Sequence, residues 1–129
     1  MQARERIVEY YRPHPGTPGP FGVWRDSIAD IRLKAAVTAR IARLQGGNFS
    51  DSKSIGGGAL ESRIDFGPGY RIYYGVEADK IILLCGGDKS AQDSDIETAK
   101  TRWSDYVKRR KQNAKKPELQ NRSARRPKK

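Results

Sequence analysis

The sequence contains very few of the residues that most often bind metals or transfer protons. Its 129 residues include one cysteine, Cys85, and one histidine, His14. A single cysteine excludes an intramolecular disulfide and every metal motif that needs several cysteines. Histidine is the usual proton carrier near neutral pH, so a single histidine excludes a catalytic histidine pair. If this protein catalyses a proton transfer, it must use other side chains.

Long apolar segments are also missing. No apolar run approaches the ~18 residues of a membrane span. The N-terminus has no basic segment followed by an apolar core, as a signal peptide has. Cys85 ends the apolar run at residues 81–85, so we predict a buried structural thiol, because buried cysteine behaves as a small apolar residue. We therefore expect a cytoplasmic protein without a membrane partner, since a reducing compartment suits an unpaired thiol.

Charge is distributed unevenly along the chain. The sequence has 26 Lys and Arg against 15 Asp and Glu, for a formal net charge of +11. Residues 107–129 hold eleven of the bases and one acid, Glu118, which leaves residues 1–106 near neutral at +1. A cationic segment of low complexity cannot bury enough apolar surface to fold alone. We therefore predict a folded domain at residues 1–107 and a basic, disordered tail at residues 108–129.

Residues 60–92 predict three short strands joined by tight turns. Apolar residues at 60–66 alternate with charged ones, and after a Gly-Pro-Gly turn the alternation resumes in YRIYYG. Successive side chains of a strand point to opposite faces, so the apolar set can pack against helices. The other set includes Arg63, Arg71 and Tyr73, which we expect on an open face of the sheet. Such a face suits the binding of a polyanion.

The rest of the domain completes an α+β pattern. Residues 7–11 are β-branched and aromatic and predict a first strand. Apolar residues then recur every three or four positions from Phe21 to Leu44, as in two helices with a break near Asp30 or in one long helix. A last helix begins near Ser90. We therefore predict a small antiparallel sheet with helices on one face, in the order β-α-α-β-β-β-α.

The motifs along this pattern resemble those of a known superfamily. The segment GNFSDSKSIGGGALESRIDFGPGYRIYYG, followed by IILLCGGDKSAQDSDIETAKTRW, is similar to the phage Gp49-like, addiction-module killer (HigB-like) branch of the RelE/ParE toxin superfamily. RIVEYYR, PFGVWRDSIAD and ARIARLQGGNFSD fit upstream in the same order, so the resemblance covers roughly residues 4–106. One position departs, because this family usually has E-L-R where this chain has Ser62 between Glu61 and Arg63. Ser62 lies on the packing side of its strand.

The resemblance implies a toxin of a toxin–antitoxin system. Its usual activity is cleavage of mRNA on the ribosome, in which a ribose 2′-hydroxyl attacks the adjacent phosphate. The implied partners are that mRNA and a cognate antitoxin of the helix-turn-helix type, and no cofactor is implied. A second interpretation stays open, in which the protein does not cleave RNA. It would then be a gyrase inhibitor like ParE, or a nucleic-acid-binding protein that acts through its basic tail.

Candidate site residues follow from the charges that this cleavage needs. Guanidinium groups hold phosphate oxygens bidentately, so Arg63 and Arg71 are the candidates for binding the reacting phosphate. Tyr73 could stack on a base or assist proton transfer, and Lys89 is the candidate acid or base. The remaining candidates are polar or cationic groups that would contact RNA. They are Lys53, which matches a segment where these toxins often carry a basic residue, then Gln92, Lys108, Arg109, Arg110 and Lys111.

Each of these candidates has a simpler alternative. Arg63 could form an ion pair with Glu61 or Asp65 on a solvated face, and Lys89 could be an ordinary surface residue. The acidic residues at 93–97 could form a metal cluster, but acids are expected in the first turn of a helix because of the helix dipole. We therefore expect no metal site.

Overall fold

The computed structural model describes residues 5–125, with the side chains of residues 5–114. The described residues form an α+β fold with five strands and three α-helices. A short 3-10 turn, Lys89–Ala91, precedes the last helix. The elements in chain order are β1 (Ile7–Tyr10), α1 (Pro20–Ser27), α2 (Ile31–Gln45), β2 (Ser52–Gly56), β3 (Ala59–Ile64), β4 (Tyr70–Glu77), β5 (Lys80–Asp88) and α3 (Gln92–Arg125).

The five strands form one mixed sheet in the order β1-β5-β4-β3-β2. Strands β2 to β5 pair antiparallel, whereas β1 pairs parallel to β5. The prediction of a purely antiparallel sheet with four strands is therefore wrong in two respects. Strand β2, with the sequence SKSIG, escaped prediction because it is an edge strand with one branched apolar residue. The pairing of β1 with β5 joins segments about seventy residues apart, which local periodicity cannot reveal.

Two separate helices, α1 and α2, cover one face of the sheet. Asp30 lies between them, and its side chain accepts a hydrogen bond of 2.8 Å from the Arg32 backbone N–H. This N-cap explains why the helical pattern from Phe21 to Leu44 breaks at Asp30. Apolar residues of both helices pack against the inner face of β3, β4 and β5. The two-helix alternative is therefore confirmed.

Helix α3 covers the opposite face, so the prediction of helices on one face is wrong. Trp103 of α3 packs over Gly75 of β4 so closely that a Cβ atom there would collide with the indole ring. Ala99 and Trp103 complete a second core with Ile82 and Leu84 of β5. The apolar run at residues 81–85 supplies side chains to both faces of the sheet, and a sheet that is apolar on both faces must be covered on both.

Helix α3 continues through most of the segment predicted to be disordered. It runs from Gln92 to Arg125 and so crosses the predicted domain boundary at residue 107. The helix is held to the body near this boundary, because Arg110 Nε donates to Glu77 Oε1 at 2.7 Å. Lysine, arginine, glutamine and alanine are good helix formers, so the composition that prevents a core does not prevent a helix. The described helix therefore extends past residue 107, and the last four positions of the predicted tail lie outside the described residues. That the basic segment is disordered when free stays a prediction.

No helix within residues 5–125 has an apolar stretch long enough to cross a membrane.

Candidate functional site

The β3–β4 hairpin places the two predicted arginines opposite each other. Arg63 of β3 and Arg71 of β4 are Cα partners in the antiparallel register, as the alternation of the sequence predicted. Lys89 follows β5, and its backbone N–H donates to the carbonyl oxygen of Gly69 at 3.1 Å, in the turn between β3 and β4. The three cations therefore line one small cavity of about 150 Å³, which we call the hairpin cavity.

The turn that closes the hairpin cavity depends on glycine. Gly67 and Gly69 have φ values of +53° and +102°, in a region that side chains with a Cβ atom rarely adopt. The Gly69 backbone N–H donates to the Phe66 carbonyl oxygen at 2.9 Å, which fixes the turn between the two strands. The Gly-Pro-Gly sequence therefore brings Lys89 and the arginines to the same end of the sheet.

Two of the three cations in the hairpin cavity are free to bind an anion. Arg63 and Lys89 are exposed, and neither forms an ion pair with any side chain of residues 5–114. The alternative that Arg63 pairs with Glu61 or Asp65 is therefore wrong for this structure. Free guanidinium and ammonium groups at one cavity favour the binding of phosphate or another oxyanion.

Arg71 is held differently, by a carboxylate inside the protein. Glu61 is fully buried, and its Oε2 lies 3.5 Å from Arg71 Nε. The same oxygen accepts a hydrogen bond of 3.0 Å from Gln92 Nε2 at the start of α3. Glu61 Oε1 lies 3.8 Å from Lys53 Nζ of β2. One carboxylate thus contacts three of the predicted site residues.

This buried cluster leaves several polar atoms without a hydrogen bond. They are Glu61 Oε1, Arg71 Nε, Tyr73 Oη and Asp95 Oδ2, all within the described side chains. Arg71 Nε is held by charge attraction to Glu61 Oε2 alone, since their separation of 3.5 Å is beyond good hydrogen-bond geometry. Glu61 Oε1 lies 3.8 Å from Lys53 Nζ. A buried polar atom without a hydrogen bond costs stability. The cluster therefore costs some folding free energy in exchange for fixing the position of Arg71.

Tyr73 does not lie on an open face. It is fully buried beneath α3, within the second core. Burial raises the pKa of the Tyr73 phenol well above its ordinary value, and the charges of Glu61 and Asp95 raise it further. A buried phenol with a raised pKa neither stacks on an incoming base nor accepts a proton near neutral pH. The expectation that Tyr73 is accessible was wrong because the sequence does not show which face α3 covers.

Cys85 is buried on the same side of the sheet as Tyr73. Burial raises the pKa of its thiol to about 12. The thiol therefore stays protonated near neutral pH, and since the thiolate is the reactive form, Cys85 is a poor nucleophile. The prediction of a buried structural thiol is confirmed.

A second, larger cavity adjoins the hairpin cavity. Its volume is about 470 Å³, and we call it the edge cavity because it borders the edge strand β2. Arg63 and Asp65 line both cavities. Lys53 lines the edge cavity, and its side chain is 64% exposed. The two cavities therefore form a continuous polar surface on which Arg63 and Asp65 are the common wall.

Arg40 of α2 is a functional candidate that the sequence analysis missed. It lines the edge cavity, although it is buried. Its Nη1 donates to Ser62 Oγ at 2.9 Å and to the Arg63 carbonyl oxygen, and its Nη2 lies 3.1 Å from Asp51 Oδ2. Arg40 therefore supports the strand that carries Arg63. The position of Arg40 one turn after Val37 in the apolar stripe of α2 was a signal that could have found it.

The contact with Arg40 also explains the unusual Ser62. Its side chain is fully buried on the packing side of β3, as predicted. The hydroxyl group accepts the hydrogen bond from Arg40, which a leucine at this position could not do. Ser62 and a buried arginine therefore form a matched pair in this chain.

The four predicted cations at residues 108–111 are not brought to the hairpin cavity. Gln92 and Lys108 are sixteen positions apart on α3, about 24 Å along the helix axis. Arg109 Nε donates to Asp105 Oδ2 at 3.0 Å, and Arg109 Nη2 donates to the Arg12 carbonyl oxygen at 2.7 Å. Arg109, like Arg110, therefore helps to hold α3 against the rest of the domain. Lys108 and Lys111 are exposed and remain candidates for contact with a polyanion outside the cavities.

Within the described residues, no group of three acidic, cysteine or histidine side chains is arranged as a metal site would need. Asp93 and Asp95 lie in the first turn of α3, where their charges favour the helix.

Comparisons with known proteins identify one relative and no activity. The chain is 52% identical over 81 residues to a protein of Haemophilus influenzae that is described as uncharacterized. The matched part covers 62% of this chain and 82% of that protein. No family model and no solved structure matches the chain. Identity at this level over most of the relative's length shows common ancestry, and the chain therefore belongs to the same family as this Haemophilus influenzae protein.

Proposed function

We propose that this protein is the toxin of a type II toxin–antitoxin module and that it cleaves mRNA on the ribosome. The observation that carries the proposal is the grouping of Arg63, Arg71 and Lys89 around the hairpin cavity. The order of motifs, which resembles that of RelE/ParE toxins of the Gp49-like and HigB-like branch, supports it. Two exposed free cations beside a buried, anchored arginine form a suitable site for a reacting phosphate.

The size of the hairpin cavity indicates which part of the RNA it would take. Its volume of about 150 Å³ is below the roughly 300 Å³ at which pockets for small organic ligands begin. A phosphate group fits such a space and a whole nucleotide does not. Arg63 and Arg71 would hold the non-bridging oxygens, and Lys89 would donate a proton to the departing 5′-oxygen. No metal or cofactor takes part in the proposed reaction.

The proposed partner is a cognate antitoxin, of the helix-turn-helix type, encoded next to the toxin gene. The exposed side chains of Arg63, Lys89 and Lys53 form a local cationic surface on a body that is otherwise near neutral. An acidic segment that folds on binding would complement this surface and exclude RNA from it. Co-expression with the adjacent gene product should give a complex that is stable at moderate salt. Failure of every neighbouring protein to bind or to restore growth would contradict an addiction module.

One structural observation favours an alternative function. The exposed cations Lys108 and Lys111 lie far along α3 from the hairpin cavity, and Tyr73 is not available for chemistry. A protein that inhibits gyrase, or that binds nucleic acid through α3 without cleaving it, would need no catalytic constellation. In that case substitutions in the hairpin cavity would leave growth inhibition intact.

Induction of the chain alone in cells, followed by mapping of mRNA 5′ ends, tests the proposal. We expect cuts within translated reading frames, in phase with codons, together with growth arrest. The variant Arg63→Ala should remove both effects, and Arg12→Ala, an exposed arginine outside both cavities, should keep both. Intact mRNA together with an SOS response would instead support gyrase inhibition.

A further inference from the structure

Asp65 is the acidic residue of the hairpin cavity. Nine residues line this cavity, and among them Asp65 carries the one carboxylate, beside Arg63, Arg71 and Lys89. Asp65 directly follows β3 and lies two residues after Arg63. Residues two apart in an extended chain point to the same side, so Asp65 and Arg63 lie on the same side of the hairpin. A single acid among three cations would ordinarily be expected to pair with one of them.

The Asp65 carboxylate forms no such pair. Within residues 5–114 it makes no ion pair with Arg63, Arg71, Lys89 or any other cation. It is exposed and accepts no side-chain hydrogen bond from the described residues. Both oxygens are therefore available to an incoming group that carries a proton, such as a hydroxyl.

The cations of the cavity cannot accept that proton. Guanidinium and ammonium groups are hydrogen-bond donors without an acceptor, so Arg63, Arg71 and Lys89 cannot accept it. Tyr73 is fully buried, and His14 does not line the cavity. Of the two carboxylates that line the two cavities, Asp51 is paired with Arg40 and Arg43. Asp65 is therefore the carboxylate of the described residues that is available there as a base.

The position of Asp65 between the two cavities fits the same role. The hairpin cavity has room for one phosphate, whereas the edge cavity, at about 470 Å³, lies within the roughly 300–1,000 Å³ range of organic-ligand sites. A nucleoside in the edge cavity would place its 3′-phosphate in the hairpin cavity. Its 2′-hydroxyl, next to that phosphate, would then lie at the common wall formed by Arg63 and Asp65.

We propose that Asp65 is the general base of the reaction, which accepts the 2′-hydroxyl proton of the nucleotide bound in the edge cavity. This inference rests on the proposed function. The 2′-oxygen forms a bond to phosphorus while the bond from phosphorus to the 5′-oxygen of the next nucleotide breaks. The 2′-hydroxyl proton moves to Asp65, and Lys89 gives a proton to the departing 5′-oxygen. The products are a 2′,3′-cyclic phosphate and a free 5′-hydroxyl.

The full-length protein, ribosomes and a defined mRNA provide the test. Single-turnover cleavage rates and ribosome affinity would be measured for wild type, Asp65→Asn, Asp65→Glu and the control Asp93→Asn, an exposed acid of α3 outside both cavities. Loss of a general base lowers rates by about 10²–10⁴-fold. We expect that loss in Asp65→Asn with unchanged ribosome affinity, partial recovery in Asp65→Glu, and wild-type rates in Asp93→Asn. Circular dichroism should give the same melting curve for all four proteins.

Three results would overturn the assignment, and they differ in whether the proposed function also fails. If wild type cleaves and Asp65→Asn cleaves within threefold of it, Asp65 is not the base, while the proposed function stands. If wild type binds the ribosome but leaves the mRNA intact, the proposed function fails and the role of Asp65 fails with it. A wild-type reaction that still cuts an mRNA with a 2′-deoxynucleotide at the cleavage site would also overturn the assignment, because no 2′-hydroxyl proton is then transferred.

Discussion

Glu61 holds Arg71 from inside the protein, while the outer end of the same guanidinium group borders the hairpin cavity. The carboxylate is fully buried and lies 3.5 Å from Arg71 Nε. Arg71 Nη1 lies beside Gly69, in the turn that lines the cavity. The two residues are diagonal neighbours across the β3–β4 pair, since Glu61 lies opposite Tyr73 and Arg63 lies opposite Arg71. A fully buried anion thus fixes the position of a mostly buried cation whose outer end borders the cavity.

We predict that Glu61→Gln destabilises the protein, because it leaves the mostly buried Arg71 without a counter-charge. Removing one partner of a buried ion pair costs on the order of 3 kcal/mol. Urea unfolding monitored by tryptophan fluorescence would measure the change in the free energy of unfolding. The control is Glu97→Gln, which removes an acid that is 76% exposed and paired with Lys100 at 3.9 Å, and it should change stability by less than about 1 kcal/mol. Equal effects of both substitutions would contradict the anchoring role of Glu61.

We predict that Arg63→Ala reduces cleavage strongly while it leaves the fold intact. Arg63 is exposed and has no ion-pair partner among the described side chains, so its loss should change stability by no more than about 0.5 kcal/mol. Loss of a charge-assisted contact to the transition state costs about 2–4 kcal/mol, or two to three decades in rate. Single-turnover cleavage and thermal melting would be measured on the same preparations. A stable Arg63→Ala protein with wild-type cleavage would remove Arg63 from the site.

Arg71→Ala is a less direct probe than Arg63→Ala. It should lower both activity and stability, because the buried Glu61 carboxylate would lose its Arg71 counter-charge. A comparison of the two variants therefore separates loss of phosphate binding from loss of folding.

We predict that Tyr73→Phe does not lower stability, whereas Tyr74→Phe does. The two tyrosines are neighbours in β4 and are both fully buried. Among the described residues Tyr73 Oη forms no hydrogen bond of good geometry, although the Glu61 carboxylate is close enough to raise its pKa. Removal of the hydroxyl therefore relieves a buried polar group. Tyr74 Oη donates to Ser52 Oγ at 2.7 Å, and loss of this bond should cost about 1 kcal/mol. Unfolding free energies of the two variants give the comparison, and a larger loss in Tyr73→Phe would show that its hydroxyl is bonded in solution.

The sequence predicts the β3–β4 hairpin well because all the information needed lies within it. Period-two alternation and the Gly-Pro-Gly turn set the register, and the register brings Arg63 opposite Arg71. The sequence does not reveal the face of the sheet on which α3 packs. An apolar stripe such as Ala99 and Trp103 shows that one side of a helix is buried, but it does not show which face of the sheet the helix covers. The continuous apolar run at residues 81–85 was the available signal that both faces are covered.

The same limit applies to the site. Alternation places Arg63 and Asp65 on one side of the strand. Among the side chains of residues 5–114, the structure adds that Asp65 forms no ion pair while Glu61 pairs with Arg71. Which of several nearby charges form a pair depends on burial and side-chain geometry that only the folded chain defines. Arg40 contacts Ser62 and the Arg63 carbonyl oxygen from a helix more than twenty residues away. The place of Arg40 in the apolar stripe of α2 indicates that it is buried, but its partners are set by tertiary packing.

We predict that residues 112–129 strengthen binding to RNA without contributing to cleavage. These residues carry seven cations and one acid, Glu118, and truncation after Lys111 keeps the contacts of Arg109 and Arg110 with the body. Each phosphate neutralised contributes roughly 0.7 to the slope of log affinity against log salt for single-stranded RNA. The truncated protein should therefore bind RNA more weakly at low salt, with a slope smaller by up to roughly 5, and should keep the same cleavage positions. Truncation after Val107 is the comparison, since it also removes both docking arginines and should lower the melting temperature. If the protein that ends at Lys111 binds RNA as tightly as the full chain at every salt concentration, these cations have no role in recognising the target.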